Sequence, residues 1–287
     1  MIKYGLQMYM LTDSFGEDKL DLIKKVGDLG FDGVEISFGD PADFPAAAVK
    51  KALADNNMEI NFAIGLGPDT NSISPDAEVR KAGVELLKKA VDTAYEVTGG
   101  DCVIGGPNFA AWLYLTGKSL SADEWKWGVE NYKQVCEYAA TKSISIAAEV
   151  LNRFETHFFN TLADAYRFCS DVGFDNALVQ PDTYHMNQEE KSWGDSIRAA
   201  GDRIKYMHVI DSDRGIVGTG LVNWPEVFTA LKDINFDGWL TVEGFTRDSE
   251  IVAGLTKIWR DPAESAEVLA SKSLAALKDY EKKYFTN

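Results

Sequence analysis

The feature that most constrains this chain is an eight-fold alternation of two patterns. Short runs rich in β-branched and apolar residues recur between longer amphipathic segments. The short runs are Tyr4–Met10, Gly33–Ser37, Glu59–Ile64, Cys102–Gly105, Ile144–Val150, Ala177–Pro181, Ile204–Ile210 and Trp239–Glu243. Between them lie helical patterns such as Glu78–Val97, Ala122–Thr141 and Pro225–Ile234. In the first of these, Ala82, Val84, Leu86, Leu87, Ala90, Val91 and Ala94 form a stripe of helical period. Ser74-Pro75 and Trp224-Pro225 predict helix starts with proline in the first position. Gly30 and Gly238 predict helix stops ahead of a strand.

Eight β-α units in 287 residues predict an α/β fold, a closed parallel (β/α)8 TIM barrel forming a single domain over 1–287. An open doubly wound sheet usually carries a Gly-rich phosphate turn after its first strand, and this chain has none there. No linker, low-complexity segment or composition shift divides it. The formal charge of −16 repels phosphate backbones and anionic lipid, and no local basic patch offsets it. Nucleic-acid and membrane partners are therefore not expected. The N-terminus lacks an apolar signal region, and no run approaches the ~18 apolar residues of a membrane span. Cys102, Cys136 and Cys169 are widely spaced and read as buried, reduced thiols of a cytoplasmic protein.

A barrel of this kind works at the C-terminal ends of its strands. The last four strands end in or carry Glu149, Asp182, His208 and Glu243. Singly, each has an ordinary reading: a solvated loop acid, a helix N-cap, a satisfied core histidine. One on each of four consecutive strands, they can converge at one mouth. Three carboxylates and an imidazole make a hard donor set suited to Mn²⁺, Mg²⁺ or Co²⁺. Nearby stand Glu155, His185 and Arg214, types that hold sugar hydroxyls or an enolate oxygen. Their plainer reading is an exposed ion pair for Glu155 and Arg214 and a loop position for His185. His157 reads as structural or exposed.

Several stretches carry a resemblance. They are EVLNRFETHFFNT at 149–161, DTYHMNQEE at 182–190, HVIDSDRGIVGTG at 208–220 and VEGF at 242–245. SPDAEVRKAG at 74–83, FAAW at 109–112 and KIWRD at 257–261 agree with them. Together they resemble the ketose 3-epimerase family (the D-tagatose and D-psicose 3-epimerases), within the xylose-isomerase-like barrels, over almost the whole chain. The resemblance implies one divalent metal, Mn²⁺ first and Co²⁺ or Mg²⁺ otherwise, on Glu149, Asp182, His208 and Glu243. It implies substrate contacts from Glu155, His185 and Arg214, with Trp112 and Phe245 packed against the sugar. It also implies a homodimer or homotetramer. The helix expected over 263–280 and the aromatics Trp125 and Trp127 could serve that interface or belong to the packed core.

The chain departs from the family pattern in two places. Asp211 stands where a Glu is usual, and Gln7, Tyr9 and Leu11 replace an aromatic run at the end of the first strand. The strand-one positions are expected to touch the far end of the sugar, so the departures bear on which ketose is preferred. The expected chemistry is epimerisation of a free ketose at C3 through a cis-enediolate. Inversion needs one acid–base group on each face of the carbon, and Glu149 and Glu243 fill that need. An aldose–ketose or hydroxypyruvate-type isomerase on the same metal site is the alternative. A DNA-repair endonuclease on this barrel would need several zinc-binding histidines and a basic face; the chain has three histidines and a large acidic surplus. A sugar sensor without catalysis would be expected to have lost one of the two carboxylates.

Overall fold

The computed structural model describes residues 1–285, and those residues form one (β/α)8 barrel. Its strands are β1 Ile2–Gln7, β2 Gly33–Ser37, β3 Glu59–Ala63, β4 Val103–Gly105, β5 Ser145–Glu149, β6 Ala177–Gln180, β7 Tyr206–Val209 and β8 Gly238–Val242. The helices after the first five are α1 Asp21–Asp28, α2 Ala46–Asn56, α3 Ala77–Thr98, α4 Ala122–Ala140 and α5 Leu162–Val172. After β6 come α6 Thr183–Glu189 and α7 Trp193–Ala200, and after β7 comes α8 Trp224–Asp233. Helices α9 Glu250–Thr256 and α10 Ala266–Phe285 follow β8. All strand pairings are parallel, and β1 pairs with both β2 and β8. The ring closes between β6 and β7 through a bridge pairing Asp182 with His208. There the His208 N–H donates to the Pro181 carbonyl at 2.9 Å.

Alternation along each strand sorts residues between two cores. Outward apolar residues such as Leu6, Ile36, Phe62, Ile104, Ile146, Val179 and Val209 pack under the helices. Inward, Val103, Ala147, Leu178 and Tyr206 make a small separate cluster covered by Trp239. One step further toward the C-terminal ends, the lumen turns polar with Glu35, Asn61, Gln180, His208 and Thr241, all buried. That polar layer is the floor of the barrel mouth.

The predicted stripe on α3 holds for Val84, Leu87, Ala90, Val91 and Ala94, which are buried. Leu86 is half-buried and Ala82 faces solvent. Four local expectations change. The first strand stops at Gln7, and Met8–Met10 forms a 3-10 turn, because the chain must leave the ring at the mouth. Helix α3 begins after Pro75, with Asp76 accepting the Glu78 N–H as its N-cap. Helix α8 starts at Trp224, with Pro225 second and Asn223 as the cap. Gly30 does stop α1, at φ +94°. Gly238 instead opens β8, where a Cβ would run into the Lys205 carbonyl; the left-handed stop after α8 is Asn235, φ 52°.

The three cysteines are free and buried. Trp125 packs against Phe158 and Phe168, Trp127 stacks on Arg80, and α10 lays Leu269, Ala270, Leu274 and Leu277 on the core. These segments thus contribute to packing within the subunit. Among the described residues, no helix is long and apolar enough to cross a membrane.

Candidate metal centre and active site

Glu149 is the last residue of β5, and Glu243 directly follows β8. Asp182 begins α6 and His208 lies on β7, paired across the closing seam. The barrel therefore turns four separated sequence positions into one cluster. One ligand atom from each lies within 4.8 Å of all the others. His208 Nδ1 is 2.9 Å from a Glu149 oxygen and 3.4 Å from a Glu243 oxygen. Asp182 does two things. One oxygen caps α6 by accepting the Tyr184 N–H at 2.6 Å, and the other accepts from Arg214 at 3.0 Å. The ordinary N-cap role and the clustered role thus coexist in one carboxylate.

Arg214 reaches the cluster from the β7–α8 loop in a left-handed backbone conformation, φ 61°. It donates to Asp182 and, at 2.7 Å, to Glu243, and lies between the Tyr184 and Phe245 rings. Asp211 builds the loop that presents it. The Asp211 carboxylate accepts from the Trp224 indole N–H at 3.0 Å and from the backbone N–H groups of Ser212, Gly218 and Val222. Its backbone carbonyl accepts the Arg214 N–H. Burial pushes the Asp211 carboxyl up, but these donors, the Trp224 indole first, hold it below the ordinary value.

On the opposite side, the Trp112 indole donates to Glu155 at 2.8 Å. Glu155 is also bound by the Asn152 amide, and Asn152 donates its backbone N–H to His185 Nδ1 at 3.1 Å. That donor makes Nδ1 the acceptor and leaves the proton on Nε2, which is 3.7 Å from Asp182. Burial first, then the Arg214 charge, lowers the His185 pKa well below 6.5, so the ring is neutral. His157 lies away from the cluster and pairs with Glu124, the capping-box residue of α4.

The two glutamates leave the fold with opposed acidities. Burial raises Glu149 to about 8, reinforced by Glu243 and Asp182 and only partly offset by His208. Burial also pushes Glu243 upward, but His208 and Arg214 outweigh it and carry its carboxyl far below the usual range. Burial brings Asp182 to about 6 against the pull of Arg214. Desolvation lowers His208, yet Glu243, Glu35 and Glu149 together raise it well above 6.5.

Four buried or nearly buried carboxylates, counting Glu35, thus face one guanidinium and one imidazole. A divalent cation would offset that surplus, and the oxygen-rich donor set fits one. Every predicted site residue except Asp182 lines one cavity of about 420 Å³ at the mouth; Asp182 sits behind Arg214. Gln7 and Tyr9 line it as well. Leu11 does not, and packs against the core instead. Asp211 is also outside the lining, because its carboxylate is engaged by the loop.

Sequence reasoning missed Glu35, which lies beneath the cluster, and the lining residues Asp13, Ser37 and, on α9, Ile251, Val252, Leu255 and Thr256. Glu35 had a signal: a carboxylate in the middle of the apolar run GVEIS must point into the lumen. The α9 residues had none, since their role depends on how a loop folds over the mouth.

Fold and cluster define a barrel enzyme site built on carboxylates, one that could hold a metal ion. The model of the xylose isomerase-like TIM barrel family matches residues 23–279. The D-psicose 3-epimerase of Agrobacterium fabrum is 34% identical over 250 residues, 86% of each chain. The L-ribulose 3-epimerase of Methylomonas sp. is 36% identical over 253 residues, 87% of each. Among solved structures, a D-allulose 3-epimerase from Methylomonas sp. in complex with D-allulose superposes with TM-score 0.92 at 31% identity, covering 97% of both chains. The chain belongs to the ketose 3-epimerase family, isomerase-class enzymes on the xylose isomerase-like barrel. These relatives do not favour the aldose–ketose alternative.

Proposed function

We propose that the protein epimerises a free ketose at C3, with Glu149 and Glu243 as the acid–base pair. The observation that carries this reading is the convergence of the two carboxylates on one nitrogen, His208 Nδ1, from strands β5 and β8, where their surroundings also give them opposed acidities. One carboxylate removes the C3 proton, and the bonding electrons pass into the C2 carbonyl to leave an enediolate. The other carboxyl returns a proton to the opposite face of C3. No redox equivalent is consumed, and the reverse reaction exchanges the two roles.

Glu149, Asp182, His208 and Glu243 would hold a divalent metal, Mn²⁺ before Co²⁺ or Mg²⁺. When bound it would polarise the ketose carbonyl and offset the charge of the enediolate. His185, as a neutral Nε2–H donor, and Arg214 steady the oxygens at C1 and C2. Glu155, oriented by the Trp112 indole, accepts a sugar hydroxyl, and Phe245 packs behind. Gln7 and Tyr9 give the far wall its polar character and bear on which ketose is preferred. We assign the protein to the cytoplasm as a homodimer or homotetramer.

The test is incubation of metal-stripped protein with D-fructose, D-tagatose, L-ribulose and D-allulose in D₂O, with and without Mn²⁺. A new ketose carrying deuterium at C3, formed only with metal, is expected. An aldose carrying deuterium at C2 would refute C3 epimerisation.

A further inference from the structure

The polar layer beneath the candidate ligands holds one acid that the reaction does not use. Glu35 lies on β2, fully buried, on the far side of the lumen from His208. His208 presents its two ring nitrogens to different partners. Nδ1 faces Glu149 and Glu243, whereas Nε2 is 3.0 Å from Glu35 Oε2. Glu35 is itself held from two strands. The Gln7 amide donates to Oε1 from the paired position on β1, and the Tyr206 hydroxyl donates to Oε2. Gln7 is anchored in turn, by Ser37 Oγ at 3.2 Å and by accepting the Tyr9 N–H at 3.0 Å. Gln7 and Tyr206 are as buried as Glu35.

We propose that Glu35 is a positioning residue that fixes the tautomer and ring orientation of His208 for metal binding through Nδ1. A neutral imidazole offers a cation only the nitrogen that lacks a proton. A carboxylate accepts and does not donate, so Glu35 holds the proton on Nε2 and leaves the Nδ1 lone pair directed at Glu149 and Glu243. The same contact keeps the ring from rotating and raises its basicity as a ligand. Tyr206 and Gln7 keep Glu35 from swinging up into the ligand cluster itself. The inference rests on the reading of His208 as a ligand, and the experiment separates the two.

Mn²⁺ affinity is measured by competition with a fluorescent chelator for the wild type, Glu35→Gln and Tyr206→Phe, with circular dichroism as the folding control. The Gln variant keeps the shape but presents an N–H as readily as an oxygen. We expect its Kd for Mn²⁺ to rise about 10–100-fold, with kcat at saturating Mn²⁺ kept within a few-fold. Should Glu35→Gln fail to fold, Tyr206→Phe, which keeps the carboxylate but frees it, is expected to weaken Mn²⁺ in the same direction. In the Mg²⁺-saturated wild type, ¹⁵N-histidine NMR should show His208 protonated on Nε2 and not on Nδ1. An unchanged Kd in the folded variants overturns the proposal, as does the opposite tautomer. A wild type that binds no Mn²⁺ would overturn the metal reading of the cluster and the Glu35 inference with it.

Discussion

Glu149 and Glu243 are the same functional group with opposite surroundings. Replacing either by Gln keeps the volume and removes the proton-transfer function. Each variant should lose about 10²–10⁴-fold in turnover, the usual share of a positioned acid or base; near wild-type kcat in either, measured by ketose interconversion, would refute the two-carboxylate mechanism. The same residues give a pH signature in the metal-free protein. Glu149 titrates at about 8 when folded against an ordinary 4.5, so between those values the folded chain holds a proton the unfolded chain has lost. Its contribution is therefore full below pH 4.5 and lost as pH rises through 8. The raised His208 acts in the same direction. Lowered His185 opposes it, but only below its ordinary value of 6.5. From pH 6.5 to 8, chelator-treated protein should lose stability, by up to about 2 kcal/mol for each of Glu149 and His208, seen as a falling Tm. A flat or rising Tm over that window would refute the assignment.

At the scale of elements, the β7–α8 loop decides whether Arg214 is present at the mouth. Asp211 accepts four N–H groups there, including that of Trp224, an almost fully buried residue. Asp211→Ala leaves donors unpaired at a cost of about 1–3 kcal/mol for each that water cannot reach. We expect a lower Tm together with a reduced kcat/KM, since Arg214 loses its platform. Unchanged kinetics in the folded variant would show that Arg214 is held by its ion pairs with Asp182 and Glu243 alone. This role also keeps Asp211 out of the cavity: its neighbours are loop amides and an indole rather than substrate.

At the scale of the whole molecule, metal binding and folding are linked. A cation that binds only the folded barrel stabilises it by about 2.7 kcal/mol at a concentration one hundred times its Kd. Mn²⁺ should therefore raise the Tm of metal-free protein measurably, and a chelator should reverse the shift. No change in either direction, in differential scanning calorimetry, would argue that the four-residue cluster stays metal-free.

The division between what was legible in the chain and what was not follows range. Eight alternations of period two and period 3.6 are local facts; burial of both patterns needs a parallel sheet covered by helices, and eight units without a Gly-rich phosphate turn point to its closed form. Placement of Glu149, Asp182, His208 and Glu243 at strand ends followed from that period, and their convergence followed from closure. Positions such as Gly238 and the start of α3 read differently once folded, because a neighbouring carbonyl and a better cap decided them. The opposed acidities of the two glutamates, the φ of Arg214 and the hold of Glu35 on His208 were beyond any local pattern. Residue identity and spacing alone pointed to the barrel and to the four residues that converge at its mouth. Only the tertiary structure decided which nitrogen faces which oxygen, because a charge answers to all its neighbours in space, and those come from strands far apart in the chain.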